Sequence, residues 1–318
     1  MYFTLLTISR VFLYYIKLLF LPGRLCVEYA FPISKSFFEP GVLIAVACLI
    51  ILVVIAVKSD KEYSFAVFWF FVTLIPVSNL IPISALIAER FLYLPSIGFC
   101  ILLSIAALKI RVFSRAKNAV NFLFFCIFIF YAVRTIKRNT DWKNNLTLWT
   151  KTVESSPQSA RAHYNLAVEY DKNKQYGKSI SEYGKVIEIS QDYTSAHNNL
   201  GLIYCEMGRY DEAISEFKRA IELDPKDVTL YNNLGGAYAA KKLYNKAVLE
   251  FKRAIEINSD YSDAHFNLAM VYKITGMYKK AIEEFIRVLE ITPDDQLSEK
   301  YKKECSLILQ NNIREAKE

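Results

Sequence analysis

Hydrophobic residues are arranged in two ways along this chain, and the change falls near residue 138. Before it they come in unbroken runs. After it they come at the spacing of one helix face. Gly41–Val57 (GVLIAVACLIILVVIAV), Ser64–Ser84 (SFAVFWFFVTLIPVSNLIPIS) and Ala119–Val133 (AVNFLFFCIFIFYAV) contain no charged residue. A helix crosses a bilayer with about 20 apolar residues, within a range of about 17–25. The first two runs are long enough, and the third becomes so with its flanks. Ile97–Ile110 (IGFCILLSIAALKI) is shorter and extends back through Phe91–Ser96. Tyr2–Leu21 is apolar apart from Arg10 and Lys17, which fits a span facing a polar cavity or a helix lying in the membrane interface. It has neither the basic start nor the small-residue cleavage site of a signal peptide. The pattern predicts an all-α protein, with a transmembrane helical region of four to five spans over 1–138 followed by a repeat superhelix.

The second pattern has a period. Leu166, Leu200, Leu234 and Leu268 recur every 34 residues, each followed by a small residue: Ala167, Gly201, Gly235 and Ala269. Tyr170, Tyr204, Tyr238 and Tyr272 come next, then Tyr176, Tyr210, Tyr244 and Tyr278. Each unit ends on Ser179, Ala213, Ala247 or Ala281, an aromatic (Tyr183, Phe217, Phe251, Phe285), and Val186, Ala220, Ala254 or Val288. This is the tetratricopeptide pattern of helix, turn and helix. Small residues let paired helices approach while aromatics fill the space between them. One unit cannot bury its apolar face alone, so units stack. Four repeats are placed at 160–295. Residues 139–159 form a linker and a half-repeat helix, with Trp149 and Pro157 falling 34 residues before Tyr183 and Gln191. Residues 296–318 are a polar helix suited to capping the stack.

Stacked units leave a concave groove, and such grooves hold proteins or peptides. Asn165, Asn199, Asn233 and Asn267 occupy one position in all four units. In register they form a ladder of side-chain amides. Each amide can donate and accept, so the ladder suits the backbone of an extended chain with little sequence preference. The plainer reading is that asparagine beside the core leucine is an ordinary feature of such repeats. The tyrosine and phenylalanine stripes read as core.

Charge refines the first half only. Residues 1–138 hold 14 Lys or Arg and 5 Asp or Glu, whereas the remainder holds 25 and 27. The overall net charge of +7 therefore belongs to the flanks of apolar segments. No basic stripe interleaved with aromatics points to nucleic acid. In a five-span arrangement Lys58, Lys61, Lys109, Arg111, Arg115 and Lys117 share one side. Arg134, Lys137, Arg138 and Lys143 crowd the other, so the charge rule leaves orientation open. The six cysteines form no CxxC pair, and His163, His197 and His265 give no zinc-ligand spacing. No metal and no cofactor is expected.

Three segments taken together resemble a known family: YYIKLLFLPGRLCVEY (Tyr14–Tyr29), PVSNLIPISALIAERFLYLPSIGF (Pro76–Phe99) and NTDWKNNLTLWTKTVESSPQSARAHYNLA (Asn139–Ala167). They are similar to the later part of the transmembrane-and-tetratricopeptide-repeat O-mannosyltransferases, polytopic enzymes of the GT-C class. The resemblance implies an integral membrane protein with its repeats on the extracytoplasmic or lumenal side. It also implies a catalytic acid in the family's first extracytoplasmic loop. None of Glu28, Glu39, Asp60, Glu62 and Glu89 matches such a motif, so no catalytic residue is assigned. The chain is then a fragment, or one part of a split enzyme, or not catalytic.

Glu89 and Arg90 are the candidate site in the apolar half, because charge between apolar segments usually has a partner or a function. The Arg90 guanidinium suits the phosphate of a membrane lipid such as a polyprenyl-phosphate sugar. An ion pair joining two spans satisfies the same burial argument. Asn145-Leu146-Thr147 matches a glycosylation sequon, a short pattern of low specificity. Two functions follow: a lipid-linked-sugar-dependent protein glycosyltransferase whose repeats bind the acceptor, or a non-catalytic membrane-anchored scaffold.

Overall fold

Among residues 2–20, 34, 36–74, 93–113 and 117–315, which the computed structural model describes, fifteen helices form and no strand. The chain divides into two compact units, Met1–Tyr170 and Asp171–Glu318. The first unit thus runs past residue 138 into the first repeat.

The first unit holds α1 (Tyr2–Phe20), α2 (Pro40–Lys58), α3 (Lys61–Leu74), α4 (Tyr93–Phe113), α5 (Lys117–Asp141), α6 (Asn145–Ser155) and most of α7 (Ala160–Lys172). Pro40 opens α2 where its missing N–H would have had no helical partner. Among the described residues, two segments are long and apolar enough to cross a membrane, Pro40–Lys58 and Asn118–Asp141, and Leu94–Lys109 is a shorter apolar stretch. The run beginning at Ser64 is helical to Leu74, and its continuation lies outside the described residues.

Arg10, a cation inside apolar α1, is internally partnered. Its Nη1 donates to Ser34 Oγ at 2.8 Å and lies 3.5 Å from Glu39 Oε2, and Ser34 N donates to Thr7 Oγ1 at 2.9 Å. Pairing of this kind is what a charge in an apolar setting requires. The α3–α4 pair is close because of Gly98: a β-carbon there would sit 2.5 Å from the Ala66 carbonyl oxygen. Small residues at such crossings let backbones approach. Trp69 Nε1 donates to the Leu94 carbonyl at 2.9 Å across the same contact. The outer faces are apolar, with Ile44, Ile50 and Val57 of α2 and Phe122, Phe128 and Ile136 of α5 all more than half exposed. An apolar surface of this extent needs cover from lipid or protein.

In α6 the cap is made by Asn144, whose side chain accepts from Thr147 N at 2.8 Å. Leu148 and Thr152 are its buried residues.

The second unit continues with α8 (Tyr176–Ile189), α9 (Thr194–Glu206), α10 (Tyr210–Leu223), α11 (Val228–Ala240), α12 (Tyr244–Ile257), α13 (Ser262–Ile274), α14 (Tyr278–Ile291) and α15 (Gln296–Glu315). Helices of 13 and 14 residues alternate from α7 to α14. Tyr176, Tyr210, Tyr244 and Tyr278 each open a second helix. The turns between paired helices share one device. Lys174, Gly208, Lys242 and Gly276, again 34 apart, have φ of 55°, 73°, 62° and 77°. After three of them the next N–H donates back to a tyrosine carbonyl at 2.8 Å: Arg209 to Tyr204, Leu243 to Tyr238, Met277 to Tyr272. This is the Schellman ending of a helix, which favours glycine at its left-handed residue.

The core follows the repeat pattern. Tyr183, Phe217, Phe251 and Phe285 are fully buried, as are the four residues from Ser179 to Ala281 that precede them by one helical turn. Leu200, Leu234 and Leu268 face them from the first helices. Successive repeats join through α10 on α11 and α12 on α13. At the far end α15 closes the stack. Tyr301 packs 6.2 Å from Phe266 and 5.9 Å from Phe285, Cys305 is buried, and Lys273 pairs with Glu304 at 2.9 Å.

Candidate functional site

The asparagine ladder is on one face because the first helices are neighbours: α9 touches α11, and α11 touches α13. Asn199, Asn233 and Asn267 are each half-buried there, and Asn165 is half-buried on α7. Their amide nitrogens are used between and within repeats. Asn233 Nδ2 donates to Asn198 Oδ1 at 2.9 Å, and Asn267 Nδ2 donates to Asn232 Oδ1 at 2.9 Å. Asn199 Nδ2 donates to the Tyr183 hydroxyl at 2.9 Å, and Asn198 Nδ2 reaches Asn199 Oδ1 at 3.5 Å. A chain of hydrogen bonds therefore runs Asn233–Asn198–Asn199–Tyr183. Among the described residues nothing in the chain donates to the side-chain oxygens of Asn233 and Asn267. Three residues further along each helix, hence on the same face, come exposed Leu202, exposed Gly236 and half-buried Met270. The face thus combines fixed amides with a small apolar floor.

Asn198 and Asn232 are the members that the repeat reading passed over. The signal was present as the pairs Asn198-Asn199 and Asn232-Asn233 in consecutive units.

The Tyr176 hydroxyl donates to Glu206 Oε2 at 2.6 Å, and that bond holds the phenol above its usual pKa. Burial, then the neighbouring Glu206 charge, raises the Asp171 carboxyl. Burial also pushes up the Cys205 thiol, which makes it a poor nucleophile.

The three histidines have structural partners. His163, His197 and His265 share one repeat position with Tyr231. His163 Nε2 lies 3.0 Å from the Pro157 carbonyl and His265 Nε2 3.1 Å from that of Ser259, while the Tyr231 hydroxyl donates to that of Pro225 at 3.2 Å. His197 and His265 also approach Glu216 and Glu284 at 2.7 Å through Nδ1. In three of the four units the position ties the first helix to the loop before it, whereas His197 reaches Glu216 of α10 and its Nε2 makes no such bond. Glu89 and Arg90 lie outside the described residues. Of the other acids in the apolar half, Glu39 is engaged by Arg10 and Asp60 by Lys109 at 2.7 Å.

Comparison with known proteins finds the repeats in the second half of the chain. The TPR repeat family model matches residues 168–208 and 201–242, and tetratricopeptide repeat models match 228–261 and 250–283. Among solved structures, the peptide-binding TPR protein YrrB is 21% identical with a TM-score of 0.45, over 55% of this chain and 87% of its own. The first TPR of Spaghetti (RPAP3), bound to an HSP90 peptide, is 24% identical with a TM-score of 0.36, over 37% and 93%. The second half of the chain is a tetratricopeptide-repeat array. The chain is a relative of the protein O-mannosyl-transferases. It is 30% identical over 171 residues to protein O-mannosyl-transferase F38B6.6 of Caenorhabditis elegans, covering 52% of this chain and 24% of that protein. With protein O-mannosyl-transferase TMTC3 of Mus musculus it shares 28% over 174 residues, covering 51% and 19%. With tmtc2 of Xenopus laevis it shares 36% over 93 residues, covering 28% and 11%. It spans about a quarter or less of the length of these relatives.

Proposed function

We propose that this chain is a membrane-anchored repeat protein of the O-mannosyl-transferase kind, whose array holds an extended protein segment for lipid-linked sugar transfer on the extracytoplasmic or lumenal side. The asparagine ladder carries the reading. Its nitrogens, spent between repeats, fix the amide planes, and the oxygens of Asn233 and Asn267 remain to accept from a peptide backbone N–H. Leu202 and Met270 give side chains of the bound segment an apolar floor. A ligand held by its backbone needs little sequence in common from one acceptor to the next.

The test is binding of extended peptides to the full chain by fluorescence anisotropy. Asn233→Ala with Asn267→Ala should weaken binding about tenfold, the loss expected for two modest hydrogen bonds. Asn198→Ala removes the bridge that fixes the Asn233 amide but leaves its oxygen, so it should lower the melting temperature and weaken binding less than the double variant does. Unchanged affinity in the double variant contradicts the reading.

A second reading, a membrane-anchored scaffold without chemistry, draws on Glu39 and Asp60. Both are tied into ion pairs, whereas a catalytic base must be within reach of the proton it removes.

A further inference from the structure

In the second unit, the turns inside repeats and the stretches between repeats carry opposite charge. Residues 171–180, 205–214, 239–248 and 273–282, around the turns, hold ten Lys or Arg and four Asp or Glu. Residues 186–195, 220–229, 254–263 and 288–297, which lead into the next repeat or into α15, hold one and eleven. Paired helices run antiparallel, so the turns lie along one edge of the stack and the connections along the other. Helices of 14 residues keep the two edges about 20 Å apart.

Charges remain over on both edges. Lys242, Lys246, Lys279 and Lys280 are exposed and make no ion pair among the described residues. Two of them are steadied by rings: Lys246 lies 5.6 Å from the centre of Tyr238, and Lys280 5.6 Å from that of Tyr272. On the acidic edge Arg219 and Arg287 engage Glu222 and Glu290. Glu188, Glu256 and Asp294 are exposed there and make no ion pair among the described residues. Each edge also exposes apolar side chains, Leu243, Ile274 and Met277 among the lysines and Ile189, Ile257 and Leu297 among the acids.

We infer that the basic edge of one array docks on the acidic edge of a second copy of this chain. Both edges repeat every 34 residues, hence with one spacing along the stack. Two arrays side by side and pointing the same way therefore meet opposite charges at each repeat, and the apolar side chains between them lose water. A polyanion such as nucleic acid or an anionic bilayer answers one edge only, whereas a second copy answers both. The contact is heterologous, so every docked copy leaves a free edge and the assembly grows as a row. Neither the ladder nor the membrane anchoring is needed for it.

The experiment is sedimentation velocity of the full chain in detergent, across protein concentration and salt. At low salt the mean mass should rise with concentration beyond two copies. It should fall back in about 1 M salt, where charges are screened within about 3 Å. Lys246→Glu with Lys280→Glu should weaken self-association about tenfold, and so should Glu256→Lys with Asp294→Lys. Mixing the two double variants should restore association, because each then meets an edge of opposite charge, and restoration also shows that both fold. A chain that stays monomeric at low salt overturns the inference, as does a species that stops at two copies. Association indifferent to both reversals overturns it too, and assigns the contact to the apolar helices.

Discussion

A β-carbon at Gly201 would lie 2.5 Å from the Phe217 ring, and one at Gly235 would lie 2.6 Å from that of Phe251. Neither ring has room to retreat, since both phenylalanines are buried at the centre of their repeats. The two glycines therefore set the separation of α9 from α10 and of α11 from α12. Gly201→Leu is expected to cost about 1–3 kcal/mol or more. It should raise hydrogen exchange in α9 and α10 ahead of the rest of the array, and normal melting with unchanged exchange would contradict the close approach. This pairing was legible in the sequence, because a small residue and an aromatic recur at fixed offsets. The bridges from Asn233 and Asn267 were only half legible. The repeat exposed one asparagine column, but which atoms of a neighbouring column it would meet depends on how adjacent helices lie.

Between the paired helices, the left-handed residue shows what a period can hide. Gly208 and Gly276 announce themselves, since glycine adopts positive φ without penalty. Lys174 and Lys242 adopt the same conformation and carry no such signal on their own. The turn dictates the backbone, and the side chain tolerates it. Lys242→Gly should accordingly raise stability by about 0.5–1 kcal/mol, relief of left-handed strain being partly offset by a more flexible unfolded chain. Thermal melting of that variant beside Gly276→Ala, which should fall by a similar amount, checks the turn from both directions. The apolar helices were less readable. An unbroken apolar run has no periodicity, so neither its ends nor its packing partner follows from it. The close approach at Gly98 and the pairing of Arg10 with Glu39 and Ser34 emerged only with the helices in place.

At the scale of the whole molecule, the chain joins apolar helices to a repeat array, and about half of it is similar to proteins about two to three times its length. The apolar faces of α2 and α5 are the physical reason for the anchoring proposed above. The most direct measurement of this account is sidedness in intact cells. A membrane-impermeant maleimide would be applied to cysteine-free variants carrying either Lys303→Cys, on the exposed face of α15, or Lys61→Cys, at the exposed start of α3. The account predicts labelling at 303 and protection at 61. Labelling at 61 with protection at 303 would place the array in the cytoplasm and contradict the transferase reading, and labelling at both would contradict the membrane anchor itself.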